Sequence, residues 1–190
     1  MLPRRNCSHL AESINVAGSV YLSEGFRAKG KVSLLGSTIG GLLNCSKGTF
    51  TNHNGVVLSA ESLTVTGSVY LSDGFRSEGE VSLANATIGG DLNCSGVFTN
   101  EEGFAIYAES LNVTRSVTLV DIQATGRVFL SGASIGGVLK CSKGMFTNKN
   151  GDALSADWLT DKSPEHPQHH QEINFLAHRQ SHLKMTGQEF

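Results

Sequence analysis

Proline is nearly missing from this 190-residue chain, with three in all and two of them after residue 160. Aromatic residues are scarce, and no run of 18 apolar residues occurs, so the sequence offers no membrane span. Charge of one sign is missing as well. The net charge is -2, with Lys and Arg scattered along the chain, which removes the footprint of a nucleic-acid binder; nor is the chain acidic enough to mimic DNA. There is no C-x-x-C, hence no zinc or dithiol signature, and no G-x-G, hence no dinucleotide fingerprint. Arg4 and Arg5 have no apolar stretch behind them, so no secretory signal is read and the expected location is cytoplasmic.

Glycine, by contrast, is abundant and regularly placed. "AESINVAGSVYLSEGFRAKGKVSL" from Ala11 matches "AESLTVTGSVYLSDGFRSEGEVSL" from Ala60 and, more loosely, "AESLNVTRSVTLVDIQATGRVFL" from Ala108. "ADWL" at Ala156 opens a fourth copy, so three units of about 48 residues cover residues 11–159. Inside a unit, apolar residues alternate over very short runs, such as Leu63 and Val65, Val69 and Leu71, Val81 and Leu83, and Leu92 and Cys94. Alternation marks strands with one buried face, and tandem short strands with frequent corners describe a β-solenoid.

One rung per unit would stack Glu61, Glu109 and Asp157 as like charges about 4.8 Å apart, whereas two rungs separate them by about 9.6 Å. The reading is therefore an all-β, right-handed parallel β-helix of three units with two rungs each. About three sides per rung are expected. Gly40, Gly41, Gly89, Gly90, Gly136 and Gly137 are read as corners that exploit positive φ. Phe50, Phe98 and Phe146 are expected inside, next to corner residues Asn52, Asn100 and Asn148 that bond local backbone.

The chemistry-bearing residues are copied with the repeat. Cys45, Cys94 and Cys141 share one position, two residues after Leu43, Leu92 and Leu139, and are expected as buried, reduced thiols, with Cys7 the accessible one. Glu12, Glu61, Glu109 and Asp157 share another, and Glu24 and Asp73 a third, as solvated corner residues. "GFRAKGKV", Gly25 to Val32, fits part of a phosphate loop, but its last place holds Val32 and the second copy puts Glu80 where the lysine belongs. No catalytic, cofactor-binding or metal site is assigned.

After Thr160 the repeat stops. Residues 1–160 are read as the solenoid domain and 161–190 as a C-terminal cap or tail. Ile173, Leu176, Ala177 and Leu183 fall near one face of a helix over Gln171 to Met185, on which His178 and His182 would share a side.

The unit "V-x-L-x-x-A-x-I-G-G-x-L-x-C-x-G-x-F", Val81 to Phe98, resembles tandem repeats of uncharacterised bacterial proteins, some of which carry the automatic name membrane-associated oxidoreductase. It is distantly similar to bactofilins and to pentapeptide-repeat proteins. The resemblance spans residues 11–159 and implies a β-helix fold in a bacterial protein. The expected function is a structural or protein-interaction module, not an enzyme, that self-associates through its ends. A carbohydrate-active or redox enzyme is the alternative, the redox one resting on that family name.

Overall fold

In a computed structural model, residues 9–10, 12–157, 160–161 and 182–184 are described. Every described element is a β-strand, every pairing is parallel, and the chain winds into six complete rungs. The first rung holds β1 to β5 in part: β1 (His9–Leu10) leads in, and β2 (Asn15–Val16), β3 (Val20–Tyr21), β4 (Arg27–Lys29) and β5 (Val32–Ser33) form its four sides. The second has β6 (Thr38–Ile39), β7 (Leu43–Asn44) and β8 (Thr49–Ser59), which bends through two sides. The third has β9 (Thr64–Val65) and β10 (Val69–Ser82), and the fourth β11 (Thr87–Ile88) and β12 (Leu92–Tyr107). The fifth has β13 (Asn112–Val113), β14 (Val117–Thr118) and β15 (Gln123–Phe129). The sixth has β16 (Ser134–Ile135), β17 (Leu139–Lys140), β18 (Met145–Thr147) and β19 (Asp152–Ser155). Beyond it, β20 (Thr160–Asp161) pairs with β16, and β21 (His182–Lys184) pairs with β19.

The register confirms two rungs per unit. Val32, Leu58, Val81, Ile106, Val128 and Leu154 follow one another in Cα register, 26, 23, 25, 22 and 26 residues apart. The rung is four-sided rather than three-sided. The long strands β8, β10 and β12 continue round the corners as single strands, with register shifts in their pairing where they bend, so no loop in the sequence separates their sides.

Why the repeat needs two rungs is visible in the core. On the side that carries β2, Val16, Ile39, Val65, Ile88, Val113 and Ile135 stack in turn; on the next, Val20, Leu43, Val69, Leu92, Val117 and Leu139. The third side reads Ala28, Phe50, Ser77, Phe98, Ala124 and Phe146. Even rungs put the larger residue on every side. At the corners the order reverses: Leu71 of an odd rung is in register with Cys94 of an even one, and Leu34, Leu83 and Leu130 alternate with Ala60, Ala108 and Ala156. Large over small lets successive layers interdigitate at interior packing density. Phe26 and Phe75, two positions before Ala28 and Ser77, swing into the space those small residues leave. Rings of Phe26, Phe50, Phe75 and Phe98 therefore stack with centroids 5.4, 5.4 and 5.0 Å apart.

The paired glycines do not have positive φ, contrary to the sequence expectation. They are required by close approach. A Cβ on Gly40, Gly89 or Gly136 would lie 2.4, 2.3 or 2.1 Å from the carbonyl oxygen of Ala17, Thr66 or Thr114 in the rung before. Positive φ occurs elsewhere, at Gly79 and Gly126, for example, where odd rungs turn their third corner tightly. Even rungs make a wider detour there, and Asn52, Asn100 and Asn148 donate from Nδ2 to the carbonyls of Val56, Phe104 and Asp152 at 2.9, 2.8 and 2.8 Å.

The helix expected over Gln171 to Met185 meets a strand where the chain is described, since His182–Lys184 form β21. A strand there continues the fourth ladder, because its backbone is in register with Asp152, Leu154 and Ser155. Residues 171–181, among them His178, and Cys7 lie outside the described residues. No described helix is long and apolar enough to cross a membrane.

Candidate interaction surfaces

The repeated residues take the places their copying implied. Cys45, Cys94 and Cys141 are free thiols with no exposed surface, and burial pushes Cys45 and Cys141 up to about 12 and raises Cys94 as well. Such thiols are inert, since the thiolate is the reactive form. Glu12, Glu61, Glu109 and Asp157 recur on one outer corner, one in every second rung. Glu24 pairs with Lys47 at 3.1 Å in the open, and Asp73 accepts from the Ser72 hydroxyl at 3.0 Å. "GFRAKGKV" is the β4–β5 corner, without the helix that a phosphate loop requires. Among the described residues, no three His, Cys, Asp or Glu side chains converge as a metal site.

Three surfaces depart from a uniform repeat. The first is the open side of rung one. Ile14, Val20, Leu22 and Phe26 are only partly buried, whereas Leu43, Val69, Leu92, Val117 and Leu139, which follow Val20 on its side, are at most 2% exposed. Among the described residues, β2, β3 and β4 each have a neighbouring strand on one side only.

A second surface is a cleft of about 370 Å³ between the detours at 52–55 and 100–103, lined by His53, Glu78, Gly79, Thr99, Asn100, Glu101 and Glu102. His53 Nε2 lies 3.6 Å from Glu78, and Lys149 bridges from the third detour to Glu101 at 3.6 Å and to Glu102, whose carboxyl that contact holds below its ordinary range.

The third was not foreseen from the sequence. On the outer register of the fourth side, Ser33, Ser59, Ser82 and Ser155 are interrupted by Tyr107 and Phe129. Those two rings stack at 5.7 Å and 15°, with Phe104 beside them at 4.8 and 5.8 Å. Arg127 lies over Phe129, Cζ to centroid 4.6 Å, and donates to Ser155 Oγ at 2.9 Å. The Tyr107 hydroxyl donates to Glu109, and that bond, with the fields of Glu109, Glu80 and Glu61, raises the phenol above its ordinary value. Glu80 is raised by burial and then by the charge of Glu61. The only signal for this cluster in the sequence is the place where the serine copies fail.

Family models, curated proteins and solved structures give no match to this chain. Its functional reading therefore stands on these surfaces.

Proposed function

We propose that the protein is a β-solenoid structural and interaction module, without a catalytic centre of its own, that associates with a second copy through its first rung. The observation that carries this is the partly buried apolar layer of Ile14, Val20, Leu22 and Phe26, set beside strands β2, β3 and β4 that, among the described residues, are paired on one side only. Unpaired strand edges over exposed core residues are a template for pairing with another chain. The opposite end is a poorer surface. Leu139, Cys141 and Phe146 of the sixth rung are buried, and Asp161 takes the register position that Val or Ile holds in every complete rung. Association through one end alone closes as a two-fold, head-to-head dimer.

Sedimentation velocity at high protein concentration tests this reading. The wild-type chain should sediment as a dimer, and Val20→Lys combined with Leu22→Lys should give a folded monomer, checked by circular dichroism. A wild-type chain that stays strictly monomeric would defeat it.

A second reading, a carbohydrate-active enzyme, draws on Glu80, whose carboxyl is raised beside Glu61. Two neighbouring carboxyls set in different environments are the arrangement acid/base hydrolysis uses. The ring faces that a sugar would need are partly taken: Phe129 is stacked on Tyr107 on one side and lies under Arg127. Interaction is the better-supported role.

A further inference from the structure

The detours of the even rungs are copies of one turn: Asn52, His53, Asn54 and Gly55 in rung two, Asn100, Glu101, Glu102 and Gly103 in rung four, and Asn148, Lys149, Asn150 and Gly151 in rung six. The first and third contain Asn followed by Gly, a pair found nowhere else in the chain. In that dipeptide the backbone nitrogen of the second residue can close on the side-chain carbonyl carbon of the first, because glycine puts no side chain in the way and takes up backbone angles that others avoid.

The two steps are held differently. Asn54 and Gly55 lie inside β8, and a Cβ on Gly55 would meet the Asn52 amide at 2.7 Å. In rung six, β18 ends at Thr147 and β19 begins at Asp152, so Asn150 and Gly151 form an exposed turn between strands. Gly151 has φ +132°, and nothing beyond its chain neighbours lies within 4 Å of the place a Cβ would take. Among the described residues its N–H has no hydrogen-bond partner. Asn148 brackets the turn without touching that N–H: its Oδ1 accepts from the Asn150 amide at 3.1 Å, and its Nδ2 donates to the Asp152 carbonyl at 2.8 Å. The Asn150 side chain donates to Glu102 Oε2 at 3.5 Å, beside Lys149, which pairs with Glu101 at 3.6 Å and with Glu102. These contacts tie the third detour to the second.

We propose that Asn150 is a site of spontaneous covalent modification, where the Gly151 nitrogen closes on the Asn150 side chain and the resulting carboxylate releases the tie between the detours of rungs four and six. The Gly151 N–H gives its proton to solvent base, the nitrogen forms a bond to Asn150 Cγ, and the bond from Cγ to the side-chain nitrogen breaks as ammonia leaves. A five-membered succinimide remains. Water then opens the ring, at the former side-chain carbonyl to give aspartate or at the backbone carbonyl to give isoaspartate, so one water enters for each ammonia lost. Either product puts a carboxylate where a donor faced Glu102, which repels that residue and competes for Lys149. Isoaspartate also routes the main chain through Cβ, which lengthens it inside the Asn148 bracket. The site lies in the last complete rung, away from the open edge of rung one, so its test is independent of dimer formation.

The full chain, kept folded in mildly alkaline buffer, is sampled over weeks by peptide mapping with mass spectrometry and by methyl transfer from an isoaspartyl methyltransferase. Asn150 should convert about tenfold faster than Asn54, because the step in β8 must first open, and in urea the two rates should converge to within about twofold. Asn150→Asp stands for the aspartate product. Its amides at 149–151 should exchange hydrogen about threefold faster than in wild type, and Glu102 should titrate at a higher pH, having lost a donor and gained a like charge. Asn150→Gln, which keeps the amide but cannot close a five-membered ring, should stop isoaspartate formation at this position. Asn54 converting as fast as Asn150 in the folded chain, a rate ratio that urea leaves unchanged, or an Asn150→Asp protein with wild-type exchange and wild-type Glu102 titration would each overturn the proposal.

Discussion

Cys45, Cys94 and Cys141 are the small members of a column whose large members include Leu71 and Leu119, so at this position cysteine is used for its volume. Their thiols should ignore a reagent such as DTNB until the chain unfolds; rapid titration of three thiols in the native protein would contradict the packing. Burial raises their pKa in the folded state above the ordinary value of 9.0, to about 12 for Cys45. Stability from this source is complete below about pH 9 and is lost as pH rises toward 12, because the unfolded chain releases the protons first. Urea melts across that range should show the loss, and Cys45→Ala should lessen its slope. At Gly89 a new Cβ would press on the Thr66 carbonyl, so Gly89→Ala should cost about 1–3 kcal/mol of unfolding free energy. Gly18 has open space and no positive φ, and Gly18→Ala should instead stabilise by about 0.4–1 kcal/mol. A pair of melts that reversed this order would remove close approach as the reason for the paired glycines.

At the scale of strands, what could be read in the sequence was what the repeat copies faithfully. The inward places of Leu43, Leu92 and Leu139, of the cysteines, and of Phe50, Phe98 and Phe146 follow from alternation around a shared motif. The parts that escaped are those that alternation blurs. β10 runs from Val69 to Ser82 with buried residues at 69, 71, 75, 77 and 81, all on one parity, an alternation in which the register shifts at Leu71/Phe75 and Glu78/Val81, and so the corners, leave no mark. Phe26 and Phe75 reach the same aromatic stack as Phe50 from a place two residues earlier than Ala28 and Ser77, so comparison of copies 48 residues apart does not align them with it. The Tyr107 and Phe129 cluster is the reverse case: it is legible only as an exception, and two exceptions 22 residues apart meet only once the rung period is known.

For the whole molecule, the odd and even layers make the two-rung unit the natural quantum of insertion or loss. Removing residues 60–107 joins Ser59 to Ala108, keeps an odd layer on an even one, and should leave a shorter folded rod with a cooperative melt. Removing only residues 60–82 joins Ser59 to Leu83, setting Phe98 directly on Phe50, Leu83 on Leu34 and Cys94 on Cys45, with clashes on the sides and at one corner and a void at another. That protein should melt well below the larger deletion despite being longer, and equal melting temperatures would show that layer type does not matter.

The constant register has a kinetic meaning. Each described strand finds its partner 21 to 30 residues back along the chain, wherever in the rod it lies. Closing a loop costs an entropy that depends on its length, and here that length does not grow as rungs are added. Once one pair of rungs has nucleated, each later rung docks on a finished template at the same loop-closure cost. A rod built this way can lengthen by whole units without its folding becoming slower per rung, unlike a sheet whose strands must search ever farther for their neighbours.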